Sequence, residues 1–314
     1  MPCITVNQAF LVFFTITLLH VCSPFVPTRP VRQSVGSYQH NNRLNLFFAD
    51  DETSASNVPT IKVAPCLGDK GSIQVAAEFM VDVFWLQSPQ HLIQSGGVAT
   101  TTEVSDSTHA ALLQEQYRDL MNTYGERMGK RRLNSCLLTA LDDDSSDLLG
   151  VVGIQMCLFD KAKEEIIIAD KAETMLKNAV SSLGPKQRRQ YKDSSAQELA
   201  TELLSPDIRA ICCLSNLAVS PKARRRGIAK QLCVEAETLA SDWGYDDMLL
   251  MVESENTAAR YLYEQKLGYA REYTLHGAVA LRVDTDFGCF VETTADTLIL
   301  TKRLESKKRP PKYI

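Results

Sequence analysis

The sequence predicts an α/β (α+β) fold. Short apolar runs of strand character alternate with amphipathic stretches of helical period from about residue 72 to residue 304. A strongly apolar strand candidate at 209–219 runs directly into a basic, glycine-containing loop and then a helix. The chain has 314 residues, 45% of them apolar, so it can bury a sizeable core.

Residues 1–49 contain no Asp or Glu but carry Arg29, Arg32 and Arg43. Within them, AFLVFFTITLLHVC (9–22) is too short to span a bilayer and has the length of a signal-peptide core. An apolar segment followed by an acid-free, Arg-bearing one resembles the bipartite leader of algae with complex plastids. That resemblance implies delivery to the plastid (chloroplast) stroma, with no stable membrane anchor after leader removal; secretion is the alternative. Residues 50–70, polar and punctuated by Pro and Gly, read as a linker. The formal charge of −4 becomes −7 without residues 1–49, which argues against a nucleic-acid partner.

Residues 72–87 begin strand-like and turn helical, with Ala76, Phe79, Met80, Val83 and Phe84 at helix spacing. The Ser/Thr/Gly-rich stretch 88–107 reads as a mobile loop. A second amphipathic helix carries Leu112, Leu113, Tyr117, Leu120, Met121 and Tyr124 on one side. Two strands, LNSCLLTAL and LLGVVGIQMCLF, flank the acidic turn DDDSSD, read as a solvated hairpin rather than a metal site. A helical insertion fills about 160–208, with Ser195 and Glu198 in capping-box spacing. After the strand 209–219 come a helix closed by Gly244, a short buried strand (DDMLLMVE), and a helix between Asn256 and Gly268. YAREYTL and TLILTKRL read as closing strands around a long variable segment, and 306–314 as a basic tail. The nine cysteines form no C-x-x-C pair, and most sit in apolar runs, so they read as reduced core residues; no metal is expected.

The loop SPKARRRGIAK concentrates charge where a strand meets a helix. Free N–H groups and the helix dipole at such a start attract an anion of phosphate type. Gly227 lets backbone approach closely, and Arg224, Arg225 and Lys230 add charge. A solvated charge run is the other reading of these arginines.

Arg224-x-x-Gly227-x-Ala229, within NLAVSPKARRRGIAKQL, resembles the acetyl-CoA signature of the GNAT acetyltransferase superfamily. About thirty residues on, LLMVESENTAARYLYEQKLGY is similar to the family's later motif, matching at Asn256, Ala259, Leu262, Tyr263, Gly268 and Tyr269. The resemblance is close over 209–270 and implies a GNAT domain at 71–305. Its mixed central sheet would splay at the acetyl-CoA site, with the helical insertion preceding the cofactor-binding strand.

It further implies that pantetheine pairs with the strand edge at Leu217, Ala218 and Val219. The pyrophosphate would sit on the loop of Arg224, Arg225, Arg226, Gly227, Ile228, Ala229 and Lys230, and Asn256 and Ala259 would meet the cofactor arm. A strand amide could hold the oxyanion. Tyr263 occupies the family's position for the general acid that protonates the departing thiolate. Asn256 also suits a plain helix cap, and Tyr263 a core aromatic. The base is poorly marked: Glu253 and Glu255 are candidates, as is a water chain. The implied activity is N-acetyl transfer from acetyl-CoA to a primary amine. The partner would be a protein or peptide, through lysine or N-terminal α-amino groups. A small-amine acetyltransferase and a non-catalytic CoA-binding module are the alternatives.

Overall fold

The computed structural model describes residues 61–94, 97–98, 104–126, 133–167 and 169–305. The expected leader at 1–49, residues 50–60 of the expected linker and the tail at 306–314 lie outside them.

The strands are β1 (Ile61–Pro65), β2 (Leu92–Gln94), β3 (Gly97–Val98), β4 (Ser135–Asp142), β5 (Leu148–Asp160), β6 (Glu165–Ile167), β7 (Ile208–Val219), β8 (Asp247–Glu253), β9 (Ala270–Asp284) and β10 (Cys289–Arg303). They form one sheet in the order β1-β4-β5-β7-β8-β10-β9-β2-β3, with β6 on β5. The β7–β8 and β2–β9 pairs are parallel and the rest antiparallel, so the sheet is mixed, as expected. The helices are α1 (Lys70–Phe79), α2 (Asp106–Tyr124), α3 (Ala169–Ser181), α4 (Pro185–Gln190), α5 (Ala196–Leu203), α6 (Ile228–Asp242) and α7 (Thr257–Arg260).

Alternation along the strands assigns the helices to opposite faces. Leu137 and Val151 pack with α1 and α2, whereas Leu138, Ala140, Val152 and Ile154 pack with α3, α5 and α6. The insertion between β5 and β7 thus shares a face with α6. Its helix α5 has the expected capping box: Glu198 N–H donates to Ser195 Oγ at 3.2 Å and Ser195 N–H to Glu198 Oε2 at 2.8 Å.

Four expectations need correction. Residues 61–65 of the expected linker are a strand, paired along β4 from Ile61↔Asp142 to Pro65↔Leu138. Residues 72–87 do not begin as a strand. Asp69 caps α1 through the amides of Gly71 and Ser72, and the helix widens to π geometry over Met80–Leu86. The 88–107 stretch is not one loop, because Pro89–His91 form a 3₁₀ turn and Leu92 and Ile93 pair with Val283 and Asp284. The expected variable segment between YAREYTL and TLILTKRL is the body of a long hairpin, with β9 and β10 in register from Cys289↔Asp284 to Thr301↔Ala270. In each strand case, pairing with another strand supplies the order that local propensity does not show.

Candidate active site

The parallel pairing of β7 with β8 stops after three residues, Cys212–Leu214 against Met248–Leu250. Beyond it β7 continues to Val219 on the far side of the gap, held by β5 (Val151↔Ala218, Gly150↔Val219). Strand β8 continues to Glu253, held by β10 (Glu253↔Thr297). The facing edges at 215–219 and 251–253 are therefore unpaired with each other, which is the expected splay. Leu217, Ala218 and Val219 lie on that open edge.

The parting starts at an irregularity. Between Ala218↔Val151 and Ser215↔Gly153, two β7 residues oppose the single Val152, and Asn216 has a φ of 53°. This is a β-bulge, which leaves a residue outside the ladder and turns the strand. Asn is among the few residues that enter the left-handed region readily. Tyr124, at the end of α2, buttresses the bulge: its Oη lies 3.0 Å from Ser215 Oγ and accepts from Asn216 Nδ2 at 3.4 Å. Burial raises the Tyr124 pKa, so the phenol stays protonated.

A cavity of about 150 Å³ opens at this point, a volume of the order that admits a benzene ring. Ser215 and Asn216 border it from β7, Met251 to Glu253 from β8, Ala278 to Leu281 from β9, and Phe84, Trp85 and His91 from the α1 side. Trp85 donates its indole N–H to Gln116 Oε1 of α2 at 2.8 Å, which satisfies two otherwise costly buried polar groups. Glu253 does reach the cavity, but Arg282 donates to both its oxygens, at 2.8 Å each. Glu255 is exposed and outside the cavity lining.

The basic loop leaves β7 through a 3₁₀ turn at Pro221–Ala223. Arg225 (φ 67°) and Gly227 (φ 81°) both take left-handed backbone, and Gly227 is the N-cap of the fifteen-residue α6. Such a turn directs successive N–H groups into a concavity that binds anions. Among the described residues no side chain caps α6, and no acid occupies its first turn. A Cβ on Gly227 would meet nothing within 4 Å, so the space above it is open. This concavity, with the amides of Ile228, Ala229 and Lys230 at the helix start, fits a pyrophosphate.

The four cations differ. Arg224 donates through Nε to the Val219 carbonyl at 3.2 Å, and Arg226 pairs with Asp142 of β4 at 3.7 Å. Arg225 and Lys230 are exposed and have no partner among the described residues. Those two, and Lys222, which is likewise exposed and without a partner among the described residues, are the loop's cations available to a ligand.

Asn256 caps α7, its Oδ1 accepting from Ala259 N–H at 3.1 Å, which leaves its amide N–H₂ for another partner. Tyr263 lies in a π-helical turn, Tyr261–Lys266, that continues α7. It is buried in the same apolar cluster as Ile228, Cys233, Leu214 and Val252, does not line the cavity, and its ring meets Tyr269 edge-on at 5.9 Å. Burial raises its pKa well above the ordinary phenol value, so it holds its proton. Its hydroxyl bonds no described protein group. Tyr261 is exposed. The seven described cysteines are free thiols; burial pushes Cys136 up to about 11 and raises Cys66, Cys212, Cys213 and Cys233.

Residues 204–269 match the model of the acetyltransferase (GNAT) family. Over that stretch the chain is similar to GNAT acetyltransferases. A GNAT enzyme takes its acetyl group from acetyl-CoA, and the match spans the open β7 edge, the anion-binding turn and Tyr263 together. No curated protein matches the chain. Among solved structures, NAA60 of Arabidopsis thaliana with a bisubstrate analogue is 17% identical, covering 79% of this chain and 100% of its own, with a TM-score of 0.40. The ribosomal-protein-S18-alanine N-acetyltransferase of Escherichia coli is 14% identical, with coverages of 81% and 100% and a TM-score of 0.37. A Thermoplasma acidophilum PaiA N-acetyltransferase with coenzyme A is 15% identical, with coverages of 78% and 99% and a TM-score of 0.40.

His91, Ser215, Asn216 and Arg282 were not singled out by sequence reasoning, and Tyr124 was read only as part of the apolar side of its helix. Only Asn216 carried a local signal, an Asn inside an otherwise apolar strand run.

Proposed function

We propose that this GNAT domain transfers acetyl from acetyl-CoA to a primary amine of a protein or peptide, a lysine side chain or an N-terminal α-amine. The observation that carries the reading is the parting of β7 and β8 beside the anion-binding turn. An open strand edge, a phosphate cradle and a cavity follow one another along a single strand-loop-helix unit.

Acetyl-CoA supplies an acetyl group activated as a thioester. Leu217, Ala218 and Val219 offer peptide-like hydrogen bonds to its pantetheine arm. The turn from Arg225 to Lys230 holds the pyrophosphate, with Arg225 and Lys230 adding charge. The bulge at Asn216 presents backbone to a developing oxyanion. Tyr263, whose hydroxyl bonds no group among the described residues, donates to the departing sulfur. Asn256 holds its helix cap while its amide meets the cofactor arm. The acid-free, Arg-bearing composition of residues 1–49 supports plastid delivery; a fluorescent fusion of residues 1–70 that stays outside plastids would overturn that.

The test uses protein lacking residues 1–49 with acetyl-CoA and two peptide pools, one with free α-amines and blocked lysines, the other the reverse. Mass spectrometry reads acetylation, beside Tyr263→Phe. Transfer to either pool, reduced in the variant, supports the reading and names the amine. Acetyl-CoA binding without transfer to either pool overturns the protein acceptor and leaves a small-amine enzyme or a binding module. No binding overturns the cofactor site.

A further inference from the structure

An amine that attacks a thioester arrives largely as an ammonium, so some group must take its proton. Glu253 borders the cavity, but Arg282 occupies both its oxygens. His91 borders the same cavity, within electrostatic reach of Glu253 and Arg282.

The backbone and the ring of His91 are both held. Its N–H donates to the Ser88 carbonyl at 2.8 Å, and the next two residues pair with β9. The ring stacks on Phe84, with centroids 4.6 Å apart at 30°, and meets Trp85 edge-on at 5.4 Å. Its Nδ1 lies 2.8 Å from the Phe84 carbonyl. A carbonyl only accepts, so Nδ1 carries the hydrogen, and in the neutral ring the lone pair is on Nε2. Nε2 has no hydrogen-bond partner among the described residues. A neutral imidazole with a fixed tautomer and a free Nε2, in the wall of a cavity that opens where β7 and β8 part, is the arrangement of a proton acceptor.

We propose that His91 is the general base of the transfer, taking a proton from the acceptor amine on Nε2. The inference rests on the acetyltransferase reading above. Two protons leave the ammonium overall. His91 takes one proton from the ammonium and passes it to solvent; as the N–C bond forms and the C–S bond breaks, Tyr263 protonates the CoA thiolate, the second amine proton leaves to solvent, and solvent returns a proton to Tyr263, for a net release of one. Burial lowers the His91 pKa below the ordinary imidazole value; the Phe84 carbonyl and Glu253 pull it up, and Arg282 pulls it down. Burial is the largest of these effects, and the ring is neutral at neutral pH.

The test compares wild type with His91→Asn, whose amide N–H can still serve the Phe84 carbonyl but which has no equivalent of Nε2. Kinetics use an amine that the wild type acetylates, and ¹⁵N spectra of wild type follow the ring through a pH titration. We expect kcat to fall about 10²- to 10⁴-fold, with CoA affinity and melting temperature little changed. The acidic limb of the wild-type kcat/KM profile should vanish in the variant, and added imidazole should restore part of the rate. The spectra should show the neutral Nδ1–H tautomer, titrating below the ordinary imidazole value. An active wild type whose variant keeps both its kcat and its acidic limb overturns the base alone. So does an Nε2–H tautomer, whether or not the variant folds. A wild type that binds CoA but acetylates no amine overturns the enzyme reading and the base with it.

Discussion

The bulge that opens the site leans on a glycine. A Cβ on Gly153 would lie 2.8 Å from Tyr124 Cζ and 2.9 Å from Ser215 Oγ, and closer still to Tyr124 Oη. Ordinary carbon contacts are about 3.5–4.0 Å, so in Gly153→Ala the tyrosine ring must retreat by the better part of an ångström. Retreat breaks the Tyr124 bonds to Ser215 and Asn216. Overpacking of a tight core site costs about 1–3 kcal/mol, and a lost buried hydrogen bond adds about 1 kcal/mol. We expect a total of about 2–4 kcal/mol by urea unfolding, and a fall in acetyl transfer because the bulge loses its support. Tyr124→Phe removes the oxygen that meets the new methyl. In that background Gly153→Ala should therefore cost at least about 1 kcal/mol less, a coupling that a double-mutant cycle measures. A Gly153→Ala loss below about 0.5 kcal/mol, or a strictly additive double mutant, would refute the reasoning.

Gly227→Ala tests the phosphate cradle. Its Cβ meets no protein atom, so the fold should lose only the about 1–2 kcal/mol of a left-handed alanine, whereas CoA affinity by calorimetry should drop more than about tenfold. Arg225→Ala should weaken CoA and flatten the salt dependence of binding, while Arg226→Ala, tied to Asp142, should show the smaller effect on affinity. Ser195→Ala should cost about 1 kcal/mol in urea unfolding through its lost cap, with CoA affinity unchanged. Asp119 gives a pH signature, because burial raises its carboxyl from 3.8 to about 7. Between those values the folded state holds a proton that the unfolded chain has released, so this term favours folding at low pH and is lost as pH rises through about 7. Asp119→Asn should therefore stabilise the protein at pH 8 by up to about 4 kcal/mol and have little effect near pH 4. A gain independent of pH would contradict the buried-carboxyl account.

What could be read in the sequence was local. The strand 209–219, the glycine at the helix start, and the caps at Ser195 and Asn256 each depend on a few neighbouring residues, and each stands where the pattern put it. The turn that opens α6 belongs here too, because left-handed backbone and free helix-start amides follow from Gly227 and its position. The four arginine and lysine side chains did not, since Asp142, which takes Arg226, is distant in sequence.

The tertiary structure decided everything that depends on two segments meeting. His91 lies in a stretch with no strand signal, and it becomes a cavity wall only because Leu92 and Ile93 find β9 some 190 residues later. Glu253 reads as a free carboxylate until β9 sets Arg282 against both its oxygens. The β9–β10 hairpin reads as a variable segment because its order comes from cross-strand partners rather than from residue preference. The signature of the fold is local and so was legible. The cavity is lined from the π-helical turn Met80–Leu86, the 3₁₀ turn Pro89–His91, β7, β8, β9 and β10, and no short window of sequence contains the contacts that make it.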